Sequence, residues 1–136
     1  MCLHKITKRI DQPTDKIVKA WGVFEVCCVY ARVRDIEIAP QIQQGPTIRF
    51  GRWEKADNPS GNDSTGAVYY CGFHKYTSKK SARRIDCCGF LTVPVQLRKV
   101  RTVGEQDGQK VLVADEMKVM KKDAMRAFKE WKERNK

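Results

Sequence analysis

The sequence predicts one α+β domain: an antiparallel sheet of about five or six strands, a short middle helix and a longer C-terminal amphipathic helix. Three observations carry this expectation. Stretches rich in β-branched and aromatic residues recur along the chain, "KIVKAWGVFEVCCVYARV" and "LTVPVQLRKVRTV" among them. The second of these is followed by "GEQDG" and then "QKVLVA", and Asp107-Gly108 is a hairpin signal. Only the last stretch changes period, with Met117, Met120, Ala124, Phe128 and Trp131 at three- and four-residue steps. The 136 residues suit a single domain over 1–136, and no interdomain linker interrupts them.

Each element follows from its residues. "MCLHKITKR" sets Cys2, His4 and Ile6 against Leu3, Lys5 and Thr7, the pattern of an edge strand. "DQPTD" is a turn cluster. Lys16 to Val33 reads as one or two strands, since Gly22 weakens a helix there. "PQIQQGP" is a break, and "TIRFGRW" (Thr47 to Trp53) is a further short strand ending near Gly51. Residues 54–66 hold no large apolar side chain and are crowded with turn formers, which predicts an exposed flexible loop. "AVYYCGF" resumes the strand pattern, with Gly72 marking a bulge or a close backbone approach. Thr77 or Ser78 can then cap a short helix running through Asp86. Leu91–Val103 and Gln109–Ala114 form the hairpin, and Pro94, lacking an N–H, marks a strand start or an edge. Asp115 and Glu116 are expected to open the final helix. From Lys118 onward that segment carries eight Lys or Arg against three acids, a basic outer face.

Twenty-seven Lys and Arg against sixteen Asp and Glu give a net charge of +11, which favours an anionic partner. The longest apolar stretch, Trp21 to Ala31, includes Glu25 and falls short of a membrane span, so no membrane partner is expected. No secretory pattern opens the sequence. The six cysteines are therefore expected as reduced thiols of a cytosol, at least three of them buried. The adjacent pairs Cys27-Cys28 and Cys87-Cys88 would place one thiol on each face of a strand.

Metal and nucleophilic chemistry find little support. Cys71 and His74 have C-x-x-H spacing and Cys87 and Cys88 follow, but adjacent cysteines seldom offer both sulfurs to one ion. In an extended segment Cys71 and His74 point to opposite sides, which spoils a thiol–imidazole pair. No phosphate-binding glycine loop, H-E-x-x-H or acidic cluster is present. No metal, cofactor or catalytic residue is assigned.

Anion binding is better supported. Arg49, Arg52 and Trp53 bracket one strand end; Lys75, Lys79, Lys80, Arg83 and Arg84 surround the middle helix beside Tyr69, Tyr70, Phe73 and Tyr76; Arg98, Lys99 and Arg101 line the hairpin. Guanidinium forks suit phosphates and aromatic faces stack on bases. The candidate ligand-binding set is Arg49, Arg52, Trp53, Tyr69, His74, Tyr76, Lys79, Lys80, Arg83, Arg84, Arg98 and Arg101. The plain alternative for each remains: Tyr70, Phe73 and Trp131 as core, the charge runs as solvated faces, and His74 as a structural histidine at a strand–helix junction.

Four motifs resemble small phage and prophage accessory proteins. They are Cys2-Leu3 at the start, Gly51-Arg52-Trp53-Glu54-Lys55-Ala56, Tyr70-Cys71-Gly72-Phe73-His74, and Val113-Ala114-Asp115-Glu116-Met117. The resemblance implies a compact accessory protein of the bacterial host cytosol, one that binds a host component, for example in countering host defence. It assigns no residue a role. The expected function is a non-enzymatic binding protein for a nucleotide-type ligand or nucleic acid, with a homo-oligomer holding a shared pocket as one form. A protein–protein inhibitor of a host enzyme is the alternative, and a small enzyme using His74 or a cysteine stands third.

Overall fold

The computed structural model describes residues 3–40, 47–56, 60–70, 72–83 and 90–135. Its organising element is the hairpin of β8 (Phe90–Gln106) and β9 (Gln109–Lys118). Asp107 and Gly108 take φ of 52° and 75°, the left-handed pair that a two-residue turn requires, and Gln106 pairs with Gln109 across it.

The remaining strands of the sheet attach to this hairpin. They are β1 (Lys5–Arg9), β2 (Val18–Val26), β3 (Ile38–Pro40), β4 (Glu54–Lys55) and β7 (Phe73–Tyr76). β3 attaches only through its pairing with β2. The N-terminal half of β8 pairs with β2 from Phe90 to Leu97, and its C-terminal end pairs with β1. β9 pairs with β7 and β4 on its far edge. β7 also meets β2 at one rung, Trp21 opposite Tyr76, so β2, β8, β9 and β7 close into a ring. All pairings are antiparallel. Among the described residues the sheet thus has seven strands, more than the five or six expected, because β3 and β4 are too short to show a period of two. β5 (Ser60–Asn62) and β6 (Val68–Tyr70) make a separate two-stranded hairpin.

The long hairpin is bent. Leu97 and Val100 lie three apart yet both pack on the main core, as do Ala114 and Met117. An uninterrupted strand would put such pairs on opposite faces. The bend falls at Lys99, whose φ of 57° is left-handed and whose N–H bonds to the Thr14 carbonyl. Arg98 and Glu116 are thereby set side by side.

Two cores occupy the two faces. The main one gathers Phe24, Leu91, Val93, Val95 and Leu97, and is covered by α2 (Lys121–Arg134) through Ala124, Ala127 and Phe128. A buried side chain such as Phe128 contributes about 1.5–3 kcal/mol by leaving water. The smaller core joins Leu3, Val23, Tyr69, Tyr76, Val111 and Val113 under Ala82 of α1 (Lys79–Arg83).

Several expectations need correction. Thr47–Trp53 forms no strand. Gly51 turns with φ 73°, and the Ile48 and Gly51 N–H groups bond to the Ile38 and Val119 carbonyls. Pairing is displaced to Glu54–Lys55, so the stretch 54–66 contains β4 and β5 rather than loop alone. Asp63 within it is buried, accepting from the Thr65, Ala67 and Ile6 N–H groups. The final helix starts at Lys121, not at Asp115. Met117 is 1% exposed between Leu97 and Glu54, and that pairing holds Asp115–Lys118 in β9. Cys27 and Cys28 are both exposed beyond the end of β2, where no alternating strand geometry applies. Burial, helped by Glu37 and Glu25, pushes the Cys27 thiol up. Cys2, Cys71, Cys87 and Cys88, and the break over 41–46, lie outside the described residues.

Other expectations match. Ser78 caps α1, its hydroxyl oxygen accepting from the Ser81 N–H at 3.1 Å. Pro94 lies in β8 ahead of Gln96, where β9 pairing begins, so its missing donor costs that edge no ladder bond. No described helix is long and apolar enough to cross a membrane.

Gly72 marks a close backbone approach: a Cβ there would lie 2.4 Å from the Ala114 carbonyl oxygen. Main chain on both sides leaves no rotamer to relieve the clash. Gly72→Ala is expected to cost about 2 kcal/mol in urea unfolding; an unchanged midpoint would show that β7 and β9 stand further apart.

Candidate functional site

The bend of the long hairpin collects several of the expected cations, and it also supplies them with acids. Arg98 donates to Glu116, whose other oxygen lies 3.3 Å from Lys99 Nζ, and Arg101 donates to Asp115. Burial acts to raise the Glu116 carboxyl, but the hydrogen bonds from Arg98 and Lys99 outweigh it and hold the group low. Arg49 forks onto Glu54 at 3.0 and 3.1 Å, and that hydrogen bond holds Glu54 below the usual carboxylate range. Charge at the bend is therefore largely spent internally. Arg52 is exposed.

The expected aromatic and histidine contacts go elsewhere. Tyr69 and Tyr76 are 3% and 2% exposed in the smaller core. His74 Nδ1 lies 2.9 Å from the Gly72 carbonyl, which can only accept, so Nδ1 carries the proton. Nε2 then accepts from the Tyr69 hydroxyl at 2.9 Å, and the Tyr69 oxygen accepts from the Leu3 N–H at 2.9 Å. Burial pushes the imidazole down to about 4. Both ring nitrogens are thus occupied, Nδ1 on the Gly72 carbonyl and Nε2 on the hydroxyl that holds the N-terminal segment, and neither faces a ligand. Among the described residues no group of His, Cys, Asp and Glu could hold a metal ion. On α1, Lys79 reaches Glu130 at 3.9 Å, and Lys80 is exposed. The Arg83 side chain and all of Arg84 lie outside the described residues.

Strand register builds a different constellation. Gln96 of β8 stands between Lys19 of β2 and Lys118 of β9 on one rung. With strands about 4.8 Å apart, the two lysine backbones are about 10 Å apart. Two residues along β2 is Trp21, opposite Pro94, with Lys19 Nζ 4.8 Å and Lys79 Nζ 5.6 Å from its ring. Beyond Lys118 is Trp53, with Lys118 Nζ 5.0 Å and the Arg98 guanidinium 4.1 Å from its ring. The result is a strip ordered Trp21, Lys19, Gln96, Lys118, Trp53. Beside it runs an open groove of about 400 Å³, walled by Ile17, Met120, Lys122 and Asp123 as well as by strip residues. Lys19, Lys118 and Lys122 have no acid at ion-pair distance among the described residues.

Of the expected site residues, the structure brings Trp53 and Arg98 to this strip and Lys79 to its far end. It leaves Tyr69, His74 and Tyr76 inside. Lys19, Trp21, Lys118 and Lys122 were missed. The signal for the first two was present: "KAWGVF" alternates Lys19 and Trp21 against Ala20, Gly22 and Phe24. Lys118 was read as helix surface because the end of β9 was taken for helix, whereas Lys122 does lie exposed on α2 but was not assigned to a site. A second open pocket of about 420 Å³ includes Arg9 and Arg101, but Arg9 is bonded to the Val68 carbonyl and Arg101 to Asp115. Compared with known proteins, the chain matches no family model, no curated protein and no solved structure.

Proposed function

We propose that this chain is a non-enzymatic binding protein that engages an anionic target of nucleotide chemistry, a nucleotide or nucleic acid, through the Trp21–Trp53 strip. The supporting observation is the row itself: lysines without acid partners among the described residues, placed by register between two half-buried tryptophans, in a chain of net charge +11. Ammonium groups can exchange their weak ring contacts for phosphate oxygens, and indole faces can take bases. The setting of a phage accessory protein acting on a host component belongs to the same reading and rests on the four sequence motifs alone.

The test is fluorescence anisotropy with labelled nucleotides and oligonucleotides at rising salt. Binding should weaken steeply as salt rises. Lys19→Glu with Lys118→Glu should weaken it at least about tenfold while the thermal transition stays in place. If neither nucleotide nor nucleic acid binds at moderate salt, the reading is wrong.

A further inference from the structure

Resting on that reading, we infer that the target is single-stranded nucleic acid lying across β2, β8 and β9, with bases on Trp21 and Trp53 and backbone phosphates on Lys19 and Lys118. The order of the strip carries this. A mononucleotide offers one base and one phosphate cluster, and could use only one end. A duplex offers phosphates, but its base faces are stacked on each other and closed to indoles. Only an unpaired strand presents bases and phosphates together over a span of several residues.

Trp21 is half-buried, resting on the smaller core with Lys19 and Lys79 over its ring, and Trp53 is half-buried beside Arg98 and Lys118. Arg98 is tied to Glu116 while it lies 4.1 Å from the Trp53 ring, which gives that ring a fixed cationic neighbour. Lys118 covers the same ring from 5.0 Å with no acid to anchor it. A phosphate can draw it off and leave ring area for a base. Between the two lysines stands Gln96, neutral and able to donate or accept. The carboxylates around the strip are Glu116, matched by Arg98 and Lys99, Glu54, matched by Arg49, Glu130, 3.9 Å from Lys79, and Asp123 on the groove wall beside Lys122. A strand crossing at Gln96 therefore passes the rung that carries no negative charge.

Three probes separate the possibilities: an oligo(dT) of about a dozen nucleotides, a duplex of equal length, and heparin. Intrinsic tryptophan fluorescence should be quenched by oligo(dT) and little changed by the duplex. Trp53→Leu and Trp21→Leu should each weaken oligo(dT) binding about tenfold with the salt slope unchanged. Trp53→Phe, which keeps a stacking face, should recover most of the loss, and this distinguishes lost stacking from a disturbed fold. Lys118→Gln should lower the slope of log K against log salt by about 0.7. If duplex and heparin bind as well as oligo(dT) and the tryptophan variants change nothing, the single-strand assignment is wrong while anionic-target binding stands. If no polyanion binds, both fall together.

Discussion

Lys75→Met is expected to stabilise the protein by about 2 kcal/mol at pH 7, with the gain fading as pH rises from about 8 towards 10.5. Lys75 projects from β7 towards the main core, 9% exposed, with Nζ 4.6 Å from the Phe24 ring. Burial alone lowers its amine from 10.5 to about 8, and no carboxylate contributes. Between those values the unfolded chain keeps a proton that the folded chain has released, so stability rises with pH across that window. Below it both states are protonated and the folded state bears the full cost, roughly 3 kcal/mol. The contact with Phe24 returns about 1 kcal/mol of that. Methionine matches the stem, follows irregular gaps and brings no charge. Urea unfolding of both proteins at pH 7 and pH 10 reads the difference directly. Equal stability at pH 7 would mean that the amine is solvated.

The neighbouring residue gives the second large effect. Acidification from pH 6.5 to 4 should remove about 3 kcal/mol through His74 alone. An unfolded chain takes up the proton near 6.5 and the folded chain only near 4, so stability falls as pH falls through that window. A proton on Nε2 would meet the hydroxyl hydrogen of Tyr69, whose oxygen already accepts from Leu3. Protonation therefore also disturbs the bond that holds the N-terminal segment on the smaller core. His74→Gln should be less stable at pH 7 but nearly flat between 6.5 and 4.5. The carboxyls of Glu54, Asp63 and Glu116, all held low, add their own losses only in stronger acid. A parent protein equally stable at pH 7 and 4.5 would show that His74 is open to water. Taken with Lys75, the profile should rise, level off between about 6.5 and 8, and rise again.

The class of fold was legible, and the reasons are local. Asp107-Gly108 forces its turn whatever surrounds it, and Ser78 caps α1 with its own hydroxyl. What could not be read depends on partners distant in sequence. Asp115 and Glu116 look like a helix start, because acids favour that position; they stay in β9 because Met117 has Leu97 and Glu54 on either side. Tyr69 and His74 look like display residues beside a basic helix, yet Leu3 and Val111 belong to the same buried cluster as Tyr69. The strip escaped for the same reason. Lys19, Gln96 and Lys118 come from three strands, and nothing in any one of them announces the common rung. Register was the missing information: β8 slips by one residue against β9 between Val100 and Thr102, and no turn former marks that point in the sequence.

The ring also fixes when this protein can assemble. Among the described residues, apart from the short pairings of β2 with β3, β2 with β7 and β5 with β6, every ladder runs through β8 or β9: Lys5 with Glu105, Val18 with Leu97, Glu54 with Met117, Tyr76 with Val111. A ribosome delivers about 5–20 residues each second, N-terminus first. Strands β1, β2, β4 and β7 thus emerge seconds before their partners exist, with Phe24 and Trp21 bare in the meantime. Once β8 and β9 are out, their hairpin can close in about 1–10 μs and serve as the template onto which the earlier strands fold back. Synthesis and assembly run in opposite directions along this chain.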